Sequence, residues 1–228
     1  PLFSRGGVMA WVALWLIVAW NLLGRGDQLV SETAGMLTLS GMPVLYVALV
    51  VLKAIHEMGH AYCCKKFGAE VPEIGLAFIV ATPCAYVDAS ASWKLSSRMQ
   101  RIAVGLAGMY FELFIAGLSA LIWVSTQPGF AHSVALSVFV VSSVTTLLFN
   151  INPLMRFDGY YVFADMIGVM NLRDRSARYI RSVLSRVVVG LGTFPRERSW
   201  AWLISYGLGA AVYRALIAFG ICVLMLRL

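Results

Sequence analysis

His56-Glu57-Met58-Gly59-His60 is an arrangement that can hold and use a metal ion. On a helix, residues four apart share a face, so both imidazoles can reach one cation. Glu57 sits about 100° round from His56, placed to touch a water on that cation without ligating it. Zinc lowers the pKa of a bound water toward about 7, and a neighbouring carboxylate can then take its proton. The chemistry expected is hydrolysis by an activated water. The motif closes an apolar run, where ionisable groups are costly and functional by default.

A catalytic zinc takes three protein ligands and keeps one position open. The chain has 3 His, and the remaining one, His132, lies at the far end of another apolar run. The third ligand is therefore expected to be a carboxylate, from among Asp88, Glu112, Asp158 and Asp165. Context favours Asp158: Pro153 breaks the run before it and Gly159 frees the backbone after it. The plain alternative is a turn carboxylate paired with Arg156. Glu112 stands mid-run beside Phe111, Leu113 and Phe114, where a carboxyl group must be neutral or paired. It is expected either to bond a ligating imidazole from behind or to satisfy a neighbouring helix. Lys53, one turn before Glu57, is expected to pair with Glu112.

The elements that position these groups are membrane elements. The 228 residues are 60% hydrophobic and 13% charged, with a mean hydropathy of +0.80; soluble chains are about 25% charged. Apolar runs at Val8–Leu23, Pro43–Cys64, Arg101–Val124, His132–Phe149 and Ser199–Leu226 are each read as a bilayer-spanning helix. The connector 24–42 has room for a short surface helix. Residues 67–93 carry Gly68, Pro72, Gly75 and Pro83 among β-branched residues, a β-rich segment at the membrane edge. Residues 150–161, with Pro153 and Gly159, read as a loop. Residues 174–190 place Ile180, Val183, Leu184, Val187 and Val188 on one helical face beside Arg175, Arg178, Arg181 and Arg186, a basic amphipathic helix for an anionic membrane surface. The fold class expected is an α-helical integral membrane protein, one membrane-embedded domain over 1–228. Gly105, Ala107 and Gly108 are small residues suited to close helix packing.

The net charge of +7 follows the positive-inside rule rather than nucleic-acid binding. Lys65, Lys66, Lys94 and Arg98 follow the second run; Arg156, Arg173, Arg175, Arg178, Arg181, Arg186, Arg196 and Arg198 follow the fourth; the turn 125–131 has no charge. Both basic connectors are expected in the cytoplasm and that turn outside. The 4 Cys show no zinc-type pair spacing and read as reduced thiols, with Cys84, placed in a polar loop, as an accessory group near the metal in the minor reading. The chain begins with Pro1 and its first run lacks a small-residue cleavage site, so the run is read as a span and the native start as lying upstream.

Together with Asn150-Ile151-Asn152-Pro153-Leu154-Met155-Arg156-Phe157-Asp158-Gly159-Tyr160-Tyr161, the HExxH helix resembles the site-2 protease family of intramembrane zinc metalloproteases. The likeness is strongest to a bacterial branch named as peptide zinc metalloproteases, through Pro83-Cys84-Ala85-Tyr86-Val87-Asp88, Tyr206-Gly207 and Tyr213-Arg214. The resemblance implies Zn2+ held by His56, His60 and Asp158, with Glu57 as general base. It also implies that Asn150 holds the substrate backbone or the oxyanion; a turn amide bonding its own backbone is the alternative. Where the wider family has Asp-Gly-Gly, this chain has Asp158-Gly159-Tyr160, which puts substrate access and choice in question. The function expected is cleavage of a peptide bond in a membrane-associated protein or peptide, at the cytoplasmic side of a bacterial inner membrane. The alternative is a metal-binding accessory subunit of a membrane assembly such as a peptide exporter. A di-iron oxidase is set aside, because it needs many more His.

Overall fold

The computed structural model describes residues 4–79, 82–190 and 199–227. The chain is an α-helical membrane protein with a small sheet, and among the described residues five helices are long and apolar enough to cross a bilayer. It forms two compact units, Pro1–Ile151 and Asn152–Leu228.

The first unit opens with α1 (Arg5–Leu22), whose cap is Ser4: its hydroxyl accepts from the Gly7 amide at 3.1 Å, satisfying one of the unpaired donors of a first turn. The expected surface helix is α2 (Gly26–Met36). α3 (Met42–Lys66) carries the HExxH motif, starts on a Pro in its first turn and ends on Lys65 and Lys66, which suit the negative end of the helix dipole. Gly68 stops it: with φ at 77° it lets the Gly68 amide reach the Lys65 carbonyl at 3.1 Å and the Ala69 amide reach the Cys64 carbonyl at 3.0 Å, a Schellman ending.

The β-rich segment is a hairpin of β1 (Ile74–Ile79) and β2 (Thr82–Val87), antiparallel, with Ile74 opposite Val87 and Ile79 opposite Thr82. Cys84 lies within β2, opposite Ala77, rather than in a polar loop. A 3-10 turn, Ser90–Lys94, leads into α4 (Arg98–Ser125). α5 (Phe130–Val144) then continues as a π-helix over Thr145–Asn150.

Small residues let the spans approach. Ala107, Ala116 and Ala120 are buried on α4, and an added Cβ at Gly59 would lie 2.8 Å from the Ala107 carbonyl oxygen. Without hydrophobic drive between helices inside lipid, such close backbone contact supplies the packing. One core joins Leu14, Val18, Trp123, Leu136 and Phe139; a second gathers Cys63, Cys64, Ala69, Val104 and Ala107.

The second unit holds α6 (Asp158–Ile167), α7 (Leu172–Val189) and α8 (Trp200–Arg227). The segment 150–161 is thus not one loop. Asn150 still belongs to the π-helix and Asp158–Tyr161 is the first turn of α6, because Tyr160 buries against a core of Ala164, Val169, Leu172, Leu203 and Tyr206. Tyr160 accepts the Arg173 amide on its hydroxyl at 3.1 Å. The basic amphipathic helix is α7. Arg196 and Arg198 of the expected basic connector lie outside the described residues.

Candidate metal centre

His56 and His60 project from one face of α3 and are both buried. Their Nε2 atoms face each other at 3.1 Å. Each Nδ1 is engaged from behind: that of His56 by Glu112 Oε2 at 3.0 Å, and that of His60 by the Val104 carbonyl at 2.8 Å. A carbonyl and a carboxylate only accept, so each Nδ1 must donate. In that tautomer each Nε2 presents a lone pair, the form in which imidazole ligates a metal. Two lone pairs at such a distance repel each other, and a shared cation turns that repulsion into attraction. Two imidazoles on a tetrahedral zinc at about 2.0–2.1 Å put their nitrogens roughly 3.3 Å apart, close to the spacing seen. The donor set and its geometry therefore fit a zinc-type ion.

Glu112, on α4, is fully buried. Besides His56, it accepts from Thr145 Oγ1 at 2.8 Å on Oε1, and from Thr146 Oγ1 at 2.7 Å and Asn150 Nδ2 at 2.9 Å on Oε2. Lys53 is not among these partners, so the expected Lys53–Glu112 pair is corrected: hydroxyl, amide and imidazole donors on α3 and the π-helix saturate the carboxylate. A buried carboxylate is tolerable only when so satisfied.

The π-helix explains why those donors converge. Its i→i+5 bonding, seen in the Ile151 amide on the Thr146 carbonyl at 2.9 Å, widens the turn and brings Thr145 and Asn150 toward one face. Apolar periodicity does not announce such a turn. Thr145 and Thr146 were not singled out from the sequence, and the available signal was their adjacency in an otherwise apolar run. Gly108 is a second group not singled out for this site: a Cβ there would collide with the His56 ring, so only glycine leaves room for the imidazole against α4.

The remaining candidates are placed as follows. Glu57 is half-buried on α3. Asn150 is buried with its amide on Glu112. Asp88 accepts the Ser90 amide on Oδ1 at 2.9 Å, and its bonds to the Ser90 hydroxyl and amide hold its carboxyl below the usual range; it is the turn residue ending β2. Asp158 stands in the first turn of α6, half-buried, and Asp165 is buried further along that helix. His132 is bonded to Glu32 Oε2 at 2.9 Å.

Comparison with known proteins agrees with these features. Residues 44–135 match the family model of Peptidase family M50, a stretch that contains His56, Glu57, His60 and Glu112. A protein of Bacillus subtilis (strain 168) named "Putative peptide zinc metalloprotease protein YydH" is 27% identical over 154 residues, 65% of this chain and 57% of that protein. This chain thus spans little more than half the length of that relative. No solved structure matches. Motif, helical membrane fold and both matches converge on one likeness: the chain is similar to the site-2 protease family, peptidase family M50.

Proposed function

We propose that this chain is a zinc endopeptidase that cuts a peptide bond of a membrane-associated protein or peptide. The observation that carries the reading is that the Nε2 atoms of His56 and His60, two lone-pair donors on one helix face, stand 3.1 Å apart. His56, His60 and Asp158 each offer one ligand atom of a kind zinc accepts, and Asp158 is assigned as the third ligand on the strength of its motif. Zinc, when bound, acidifies a water and polarises the scissile carbonyl.

The residues supply the rest. Glu57, next to His56 on α3, takes the water's proton and returns it to the leaving amine. Glu112 fixes the His56 tautomer and aims its Nε2; Thr145, Thr146 and Asn150 in turn hold Glu112. Asn150 has a second amide hydrogen, which is the one proposed to meet the substrate oxyanion. The exposed residues Ile74, Leu76 and Phe78 alternate along β1, and β1 is the strand proposed to pair with an extended substrate. The basic connectors favour an active site on the cytoplasmic side of a bacterial inner membrane.

The test is Glu57→Gln in the intact protein. Zinc should still bind, turnover should fall by at least about a thousandfold, and uncut peptides should accumulate in cells. Zinc bound with function undiminished would make the chain an accessory subunit instead.

A further inference from the structure

α7 carries a pattern that the metal chemistry does not use. Its buried face, Leu172 and Ser176, packs on α8, where the Ser176 hydroxyl bonds the Leu203 carbonyl. Gly207 allows the crossing, since a Cβ there would run into Ser176 and Ile180. The contacts fall at Leu203, Ile204, Gly207 and Leu208, within about 12 Å of the start of α8. That start carries exposed Trp200 and Trp202, side chains that settle at the headgroup level. Those tryptophans favour a place for α7 at the boundary between headgroups and acyl chains.

Two features at that depth point to an occupant. Ile180, Val183, Leu184 and Val187 of α7 and Ile204 and Leu208 of α8 line an apolar groove of about 240 Å³. Leu184, Val187 and Val188 remain exposed beside it. Arg181 is about 60° round the helix from Leu184, and Arg178 is its neighbour at three residues' spacing. Both are exposed. Adjacent guanidinium groups repel unless an anion lies between them, and the acid of α7, Asp174, is already paired with Arg156 at 2.6 Å.

We propose that α7 and the first turns of α8 form a binding site for one anionic phospholipid of the bilayer, with an acyl chain in the groove and the phosphate between Arg178 and Arg181. Arg suits this role because its planar fork can bond phosphate bidentately. The site does not depend on the protease reading.

Native mass spectrometry tests it on the whole chain, delipidated in mild detergent and titrated with phosphatidylglycerol or with phosphatidylcholine of matched acyl chains. Wild type should retain one phosphatidylglycerol, favoured roughly tenfold over phosphatidylcholine. Arg178→Gln with Arg181→Gln should erase that preference, and Arg178→Lys with Arg181→Lys should restore most of it. Leu208→Trp should fill the groove and lower retention of both lipids. Equal retention of the two lipids by wild type overturns the proposal without any variant. So does undiminished phosphatidylglycerol on the double Gln variant, or a dimer that Leu208→Trp abolishes, which would give the groove to a second copy.

Discussion

Two carboxylate–imidazole pairs among the described residues of the first unit have nearly identical bond lengths. Glu112 meets His56 Nδ1 at 3.0 Å, and Glu32 meets His132 Nε2 at 2.9 Å. What separates them is the other ring nitrogen. That of His132, Nδ1, finds the Thr126 carbonyl at 3.1 Å and the Thr126 hydroxyl at 3.2 Å. That of His56 faces another imidazole nitrogen, His60 Nε2, at 3.1 Å. The first arrangement is saturated by protein and ties α2 to α4 and α5. The second sets two lone-pair nitrogens side by side, an arrangement that a shared cation stabilises. An acid beside a histidine is therefore no sign of a metal site; two imidazole nitrogens facing each other are.

The largest contrast should come from the imidazoles themselves. His60→Ala should abolish stoichiometric zinc, because a site with one ligand fewer loses at least about a hundredfold in affinity, whereas His132→Ala should keep full zinc content. Metal analysis after dialysis against a weak chelator reads both. The carboxylates should separate next. Glu112→Ala should weaken zinc by about 10- to 100-fold, while Glu32→Ala should leave affinity unchanged and lower the melting temperature by a few degrees through the orphaned Trp123 and His132 donors. If both variants bind zinc as wild type does, the distinction between the pairs collapses.

A smaller effect is expected at Gly108. Gly108→Ala forces the His56 ring aside, and zinc affinity should fall about tenfold with little change in overall helicity, as a competing chelator and circular dichroism would read. The smallest effect concerns pH. Burial pushes the Glu32 carboxyl up, but bonds from Gln28, Trp123 and His132, with the His132 charge, outweigh it and hold the group below its ordinary value. A depressed carboxyl stabilises the fold above its unfolded pKa and loses that contribution as pH falls through its folded value. Wild type should therefore lose its margin over Glu32→Gln as the pH is lowered through the acid range below about 4. A constant difference in melting temperature across that range would remove Glu32 ionisation from the account.

Much of this could be read along the chain. The HExxH spacing, the five apolar runs, the hairpin signalled by Gly75 and Pro83, and the basic stripe of α7 are local patterns, and local patterns survive without tertiary context. The exceptions are local geometry that a distant partner selects. Asp158–Tyr161 looked like loop beside Pro153, yet burial of Tyr160 draws those residues into helix. Lys53 looked like the partner of Glu112 because charge was the only visible criterion.

By itself the sequence determined that two imidazoles and a carboxylate share a turn of a membrane helix, since a period of 3.6 residues leaves no other arrangement for HExxH. It also determined that this helix is one of several in a bilayer. Tertiary structure alone decided which acid stands behind His56, that a π-helix turns Thr145, Thr146 and Asn150 onto that acid, and that His132 is spent on Glu32. Glu112 and His56 are 56 residues apart, and hydrogen-bond partners so distant are selected by helix packing, which no repeat in the chain encodes.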